Sequence, residues 1–284
     1  MRNTHAKLVA LGSMLILAVA GGCASPVPGQ VGVTGKVLIV TIQCYGPMYP
    51  QYYYYLVINR LGATGNLNAR GPIPVLDVAI PGYGGLGNGF ATGSQNANNM
   101  TNGVTDYGIT DYVEYSQAVL NEIAVYHING DPNNPNNAVA NPQGVPQGGY
   151  TLPDPTNVDT NLASTLQFTL PVSQLITDGS TGTQLTNEVN AIHYIQVNII
   201  ATNQVPTNQT TASGKQVDSM GNSLSAADLS SFITIDLTQN KTYTDAGPYQ
   251  TLTFPEPQGD VYPPGSPSNP SIDLQHWSIQ VTQQ

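Results

Sequence analysis

The fold class is decided by a stretch in which polar and apolar residues alternate, Thr165-Leu166-Gln167-Phe168-Thr169-Leu170. Successive side chains of a β-strand point to opposite faces of its sheet, so this period of two indicates a strand with one buried face. The same alternation recurs in residues 232–237 and 276–281. Both stretches are predicted to be half-buried strands whose apolar residues point inward: Ile233, Ile235, Leu237, Trp277, Ile279 and Val281.

Further strands are expected from apolar and aromatic runs. Residues 37–45 and 52–59 are separated by turn residues, and we expect them to pair as an antiparallel hairpin. Residues 111–115 and 123–128 form a second expected pair. The nearly continuous apolar run over residues 191–200 predicts a central strand that is covered on both faces.

Helix signals are scarce, and loop signals are abundant. One helix is predicted near residues 225–230, where Ser225 can cap and Asp228 lies in the first turn. Long stretches rich in Gly, Asn and Pro predict loops over residues 81–105, 129–160, 202–224 and 255–270. The sequence therefore predicts one all-β domain over residues 36–284. We expect an antiparallel, jelly-roll-like β-sandwich with long loops and at most one or two short helices.

The N-terminus has the layout of a secretory signal. Arg2 and Lys7 precede an apolar run over residues 8–20, and small residues follow at Gly21 and Gly22. A transmembrane helix needs about 20 apolar residues, so this run is too short to be a comfortable membrane span. We therefore interpret residues 1–22 as a signal peptide.

The end of this signal resembles the lipobox of bacterial lipoproteins, Val19-Ala20-Gly21-Gly22-Cys23. The resemblance implies that Cys23 is the first mature residue, that it carries acyl chains such as palmitate, and that residues 23–35 form a tether. Its membrane partner would then be the bilayer of the cell envelope, and Ala24 favours the outer membrane in a host with two membranes. An ordinary signal peptide with an incidental cysteine is the alternative.

Composition excludes some partners. The chain holds 17 acidic against seven basic residues, and only 8% of its residues are charged. Binding to nucleic acid needs a basic footprint, so we expect no nucleic-acid partner. If Cys23 is lipidated, Cys44 has no partner for an intrachain disulfide. We expect Cys44 to be a small buried hydrophobe, with a reactive thiol or an intermolecular bridge as alternatives.

A longer pattern resembles a known family. The aromatic strand over residues 52–59 precedes residues 88–93 and 110–115, and then Leu170-Pro171-Val172-Ser173-Gln174-Leu175 leads into the strand over residues 195–200. This order resembles family 9 carbohydrate-binding modules and the related DOMON sandwiches across roughly residues 37–200. The resemblance implies a β-sandwich that binds sugar between aromatic side chains or haem through axial ligands. Because the only tryptophan, Trp277, lies outside this region, the resemblance concerns the fold more than the ligand.

Metal-binding signals are weak. His127, His193 and His276 stand apart without an HExxH pattern, so zinc is not expected; His193 is expected in the core and His276 in solvent. Calcium takes six to eight oxygen ligands. Weak calcium candidates are the residues in or near oxygen-rich loops, Asp106, Asp111 and Asp131. No other cofactor is expected.

No catalytic motif stands out. The sequence lacks a G-x-S-x-G elbow and an S-x-x-K motif. A glycoside hydrolase needs two facing acids about 5–9 Å apart, and Asp111, Glu114 and Glu122 are the available candidates. No enzyme is therefore predicted, and a glycan-acting hydrolase remains an alternative function.

Tyrosines supply the strongest binding hypothesis. In the run Tyr52–Tyr55 the side chains alternate between faces, so Tyr53 and Tyr55 can share one face, with Tyr45 and Tyr49 nearby. Such rings can stack on sugars or form a protein-binding patch, although half-buried packing is the alternative. We expect a non-catalytic lipoprotein that binds carbohydrate or an envelope protein. A structural or assembly role without a small-molecule ligand is the second hypothesis.

Overall fold

The computed structural model describes residues 35–61, 71–74, 90–91, 109–119, 121–131, 134–176, 179–204, 215–225, 228, 232–247, 254–264 and 267–283. The signal peptide, Cys23 and all but the last residue of the tether lie outside the described residues, as do Asp106 and most of the predicted helix at 225–230.

Five strands, numbered in chain order, form the first antiparallel sheet. Their spatial order is β13 (Lys241–Thr244), β14 (Leu274–Gln283), β1 (Lys36–Cys44), β9 (Thr165–Pro171) and β8 (Tyr150–Thr151). The predicted alternating strands at 165–170 and 276–281 are therefore present. Strand β1 lies at the centre of this sheet, between β14 and β9, and is antiparallel to both.

Seven strands form the second antiparallel sheet. Their order is β11 (Val217–Ser219), β10 (Tyr194–Thr202), β2 (Tyr53–Arg60), β5 (Asp111–Tyr115), β6 (Ile123–Asp131) and β7 (Asn134–Gly144), and β12 (Ile233–Asp236) also pairs with β10. The central position of β10 and the pairing of β5 with β6 confirm two predictions. Strands β3 (Ile73–Pro74) and β4 (Phe90–Ala91) form a separate two-stranded ladder.

The helices are short. Helix α1 (Thr160–Ser164) is capped by the Asp159 carboxylate, which accepts a hydrogen bond from the Asn161 backbone. Helix α2 (Gly182–Ala191) ends close to Lys36, whose Nζ donates to the carbonyl oxygens of Val189, Asn190 and Ile192 at 2.6–3.2 Å. A 3₁₀ turn covers Val172–Leu175. None of the helices in the described part of the chain is long and apolar enough to cross a membrane.

One apolar core joins the inner faces of the two sheets. In β1 the side chains at alternate positions are fully buried, and Cys44 is among them, as expected of a small buried hydrophobe. Strand β14 contributes Trp277, Ile279 and Val281, and β12 with its following residue contributes Ile233, Ile235 and Leu237. The two sheets in a sandwich-like arrangement confirm the mostly-β fold class with two short α-helices.

The predicted hairpin between residues 37–45 and 52–59 is wrong. Strand β1 belongs to the first sheet and β2 to the second. Both edges of β1 are already occupied by β9 and β14, so no edge is left for β2. The connection instead crosses between the sheets, and the Tyr45 and Gly46 amides donate to the carbonyl oxygens of Asp273 and Pro270.

The loop predicted over residues 129–160 is also wrong in part. Strands β6 and β7 form a hairpin there, with a register that pairs Asp131 with Asn134 and Tyr126 with Pro142. Asn and Pro usually indicate turns, but β7 is the last strand of its sheet. An edge strand tolerates proline because one side of its backbone makes no ladder hydrogen bonds.

Candidate functional site

A row of four tyrosines lies on the outer face of the second sheet. Tyr54 points into the core, so Tyr53 and Tyr55, its neighbours in β2, point to the other face. Tyr112 of β5 and Tyr126 of β6 are directly opposite each other in the register and join the same outer apolar cluster. Three neighbouring strands thus contribute to one group of aromatic rings, named here the tyrosine row.

The rings of the tyrosine row contact one another in sequence. Tyr53 and Tyr55 stack with centroids 6.4 Å apart and an interplanar angle of 9°. Tyr55 meets Tyr112 at 5.9 Å and 70°, and Tyr112 stacks on Tyr126 at 4.8 Å and 13°. The middle rings, Tyr55 and Tyr112, are buried, whereas Tyr53 and Tyr126 at the two ends are half-buried. Each partly exposed end ring therefore packs against a buried ring.

A carboxylate accompanies the tyrosine row. Glu114 shares the face of Tyr112 and is paired with Tyr55 in the register. Its Oε1 accepts a hydrogen bond from the Ser116 hydroxyl at 2.7 Å. Burial raises the pKa of Glu114, while the Ser116 bond opposes the rise. Burial, and then the charge of Glu114, raise the pKa of Tyr53, Tyr55 and Tyr126. The tyrosine row thus combines aromatic faces with an acidic hydrogen-bond acceptor.

The four predicted tyrosines do not form one group. Tyr53 and Tyr55 belong to the tyrosine row, but Tyr45 donates from its hydroxyl to the Glu256 carbonyl oxygen at 3.0 Å. The ring of Tyr49 meets the edge of Tyr52, with centroids 6.2 Å apart. Sequence reasoning missed Tyr112 and Tyr126, although the expected pairing of 111–115 with 123–128, combined with the period of two, could have placed both on one face.

A charged group lies at one end of the second sheet, on its inner side. Arg60 Nε contacts Asp111 Oδ2 at 2.7 Å, and His127 Nδ1 contacts Asp111 Oδ1 at 2.8 Å. Arg60 Nη2 is 3.1 Å from the same His127 nitrogen, and the Thr110 hydroxyl donates to Asp111 Oδ2. Asp111, a calcium and catalytic candidate, is therefore occupied by side chains of the protein itself.

The structure does not bring the candidate catalytic acids together. Asp111 points to the inner side of β5 and Glu114 to the outer side, because three positions separate them along a strand. Glu122 is exposed in the turn before β6, where its φ is 63°. Asp131, the remaining calcium candidate among the described residues, ends β6 in the hairpin with β7.

The histidines have separate environments. The prediction that His193 lies in the core is wrong: it is exposed, because β10 begins one residue later, at Tyr194. His276 is half-buried and pairs with Asp245. No histidine among the described residues belongs to the group of side chains that could hold a metal ion.

That group, named here the acidic cluster, consists of Asp218, Asp260 and Asp273. One carboxylate oxygen from each residue lies within 4.8 Å of the others, and all three residues are buried. Glu256 is buried beside the cluster. The sequence offered no local signal for this arrangement, because the acids are spread over more than 50 positions and only the fold assembles them.

Comparison with known proteins identifies no family. No protein-family model matches the chain, and searches of the curated proteins and of the solved structures found no match. The two antiparallel sheets agree with the sandwich architecture implied by the resemblance to family 9 carbohydrate-binding modules.

Proposed function

We propose that the chain is a lipid-anchored protein of the bacterial cell envelope whose β-sandwich is a non-catalytic carbohydrate-binding module. The observation that carries this proposal is the tyrosine row, in which four rings from three strands contact one another in sequence, with a carboxylate beside them. The apolar face of a sugar ring packs on an aromatic face, and sugar hydroxyls donate to carboxylates.

The arrangement of exposure supports a ligand at the ends of the row. Tyr53 and Tyr126 are half-buried, so part of each ring is open to a ligand. Tyr55 and Tyr112 are buried between them and pack against them. Rigid aromatic side chains lose little conformational entropy on binding, which favours affinity for a weakly interacting ligand such as a sugar.

Binding is favoured over catalysis. A glycan-acting hydrolase needs two acids that face each other across the scissile bond. Asp111 and Glu114 lie on opposite sides of β5, and Asp111 is neutralised by Arg60. The carboxylate of the tyrosine row therefore acts as a hydrogen-bond acceptor for sugar hydroxyls in this proposal.

The anchoring part of the proposal rests on Cys23 and the residues before it. Mass spectrometry of the mature N-terminus from the native host tests it: a di- or triacylated Cys23 is expected. An unmodified N-terminus at another position would overturn the membrane anchor and leave an exported protein without one.

Carbohydrate binding is tested by titrating residues 24–284 with a panel of neutral and acidic oligosaccharides. For a bound sugar, Tyr53→Ala and Tyr126→Ala are each expected to raise Kd about tenfold, a loss of about 1.4 kcal/mol of binding free energy. The matched control is Tyr150→Ala, because Tyr150 is exposed in β8 of the other sheet. If no oligosaccharide binds, or if all three variants bind equally well, the sugar assignment fails and an envelope-protein partner or an assembly role takes its place.

A further inference from the structure

We propose that the acidic cluster of Asp218, Asp260 and Asp273, with Glu256 beside it, is a calcium-binding site. These residues differ from every calcium candidate that the sequence suggested. Calcium binding here does not depend on carbohydrate binding, since the acidic cluster lies on the inner side of the sheet whose outer face carries the tyrosine row.

Three parts of the fold meet at the acidic cluster. Asp218 lies in β11, opposite Ala201 of β10, and Ala201 points into the core. Asp273 comes directly before β14. Asp260 lies in the segment that leads to β14, and this segment is fastened to β11 by two backbone hydrogen bonds between Val217 and Tyr262, each 2.9 Å long.

Hydrogen-bond donors hold one oxygen of each flanking carboxylate. Asp260 Oδ2 accepts from the Ser223 amide at 2.8 Å. Asp273 Oδ2 accepts from the Gly259 amide at 2.8 Å and from the Ser268 hydroxyl at 3.1 Å. These bonds fix the orientation of each carboxylate without using its second oxygen.

Glu256 and Asp218 are held in similar ways. Glu256 Oε1 accepts from Trp277 Nε1 at 2.7 Å and from the Gly221 amide at 3.1 Å. Asp218 accepts from the Leu274 amide at 2.6 Å and from the Ser219 amide at 2.9 Å. A carboxylate oxygen has two lone pairs, so Asp218 keeps the capacity to bind a cation while it accepts these bonds.

The second oxygens of three of these carboxylates are buried without a partner. They are Asp260 Oδ1, Asp273 Oδ1 and Glu256 Oε2, in side chains whose residues are 3%, 1% and 8% exposed. A buried polar atom that makes no hydrogen bond is costly, and a buried unpaired charge is more so. Three such atoms in one place indicate that a ligand completes the group.

The missing ligand is a cation. No lysine, arginine or histidine among the described residues forms an ion pair with the acidic cluster or with Glu256. Burial and the mutual repulsion of the carboxylates raise the pKa of Asp218 and Glu256, and the pKa of Asp260 rises to about 6. A divalent cation would stabilise these carboxylates in their ionised form.

The donor set favours calcium. All the ligands offered are carboxylate oxygens, which hard cations prefer, and no imidazole or thiolate belongs to the cluster. Calcium accepts irregular coordination by six to eight oxygens, whereas magnesium demands a nearly ideal octahedron and retains its water. A site assembled from a strand and two loop segments fits the more tolerant ion.

Isothermal calorimetry with CaCl₂ tests this proposal. The full chain is kept in non-ionic detergent and is first freed of metal with EDTA and dialysis. We expect one site with a Kd between about 10⁻⁵ and 10⁻³ M and a rise in Tm on addition of CaCl₂. The double variant Asp260→Asn/Asp273→Asn is expected to raise the Kd for calcium at least 100-fold. The charge-matched control, Asp154→Asn/Asp159→Asn, alters two exposed acids and should bind calcium like the native chain.

Terbium luminescence gives a second readout that does not depend on stability. Trp277 is the only tryptophan and is hydrogen-bonded to Glu256, so its selective excitation should sensitise Tb³⁺ bound at the cluster, and CaCl₂ should quench that emission by displacement. The proposal is overturned if the native chain gives neither a heat of calcium binding nor tryptophan-sensitised emission. It is equally overturned if the cluster variant and the control variant bind alike.

Discussion

The two ends of the second sheet handle buried acids in opposite ways. At one end Asp111 is paired with Arg60 and His127. At the other end, Asp218, Asp260 and Asp273 receive N–H and O–H donors but no cationic side chain of the described residues. Arg60 is opposite Ile195 and Asp218 is opposite Ala201, so about 20 Å of β10 separates the two groups at roughly 3.3 Å per residue.

The partners of a buried carboxylate decide whether it is complete without a ligand. At the Arg60 end the compensating charge is encoded in the chain, so the group is complete when the protein folds. At the acidic-cluster end, hydrogen bonds orient the carboxylates, but no cationic side chain of the described residues compensates their ionised form. In our proposal a calcium ion from the solvent supplies that compensating charge. A buried acid therefore points to a ligand only where its hydrogen-bond donors are neutral and one of its carboxylate oxygens has no partner.

The largest expected effect comes from making the Arg60 end resemble the other. Arg60→Met leaves Asp111 buried without its cation, and breaking such a pair costs about 3 kcal/mol of the free energy of unfolding. Urea unfolding at neutral pH measures this loss. Arg60→Met/Asp111→Leu is the control, since it removes both charges and should recover most of the stability. A single variant that loses less than about 1 kcal/mol would mean that the pair is weak.

The opposite sign is expected at the acidic cluster. Without calcium, Asp260→Asn removes one buried, uncompensated charge while keeping an acceptor for the Ser223 amide. We expect a gain of about 1–2 kcal/mol in the free energy of unfolding, measured in EDTA at pH 7. In excess CaCl₂ the native chain should be the more stable of the two, because the variant loses a ligand. A variant that is less stable in both conditions would show that the Asp260 charge is compensated within the protein.

A smaller, pH-dependent effect is expected on the outer face. Burial raises the pKa of Glu114 in the folded state, so the folded protein holds this proton more tightly than the unfolded chain does. The contribution is therefore favourable at low pH and is lost as pH rises from the ordinary carboxyl range through the raised pKa. At pH 7, Glu114→Gln should increase the free energy of unfolding by less than about 1 kcal/mol, seen as a higher Tm than that of the native chain. Near pH 3 the substitution should give no such increase. Equal changes at both pH values would refute this assignment.

Strands were predictable from the sequence where one face is buried and the other faces solvent. In β9, β12 and β14 the alternation itself reports the side of the core, because each strand has one face on the shared interior. Pairing was less predictable. The link between β1 and β2 looks like a hairpin turn in sequence, and only the occupation of both β1 edges by distant strands excludes that pairing.

Other elements lacked a readable signal. Helix α2 buries only Val189, so it has no apolar stripe from which a helix could be inferred. The acidic cluster depends on three segments that meet only because β11 pairs with β10 and β14 pairs with β1. Half of the tyrosine row was predicted from β2, and the other half required the register of β5 and β6 to be combined with it.

The position of β1 also has a mechanical consequence. Lys36, its first residue, donates hydrogen bonds to three carbonyl oxygens at the end of α2, and the strand then runs between two antiparallel neighbours. A pulling force that arrives through the preceding residues would reach β1 first, in the middle of the first sheet, where hydrogen bonds to β9 and β14 hold both of its edges. A tether at this end would therefore pull on a strand held by two neighbours and not on an edge strand.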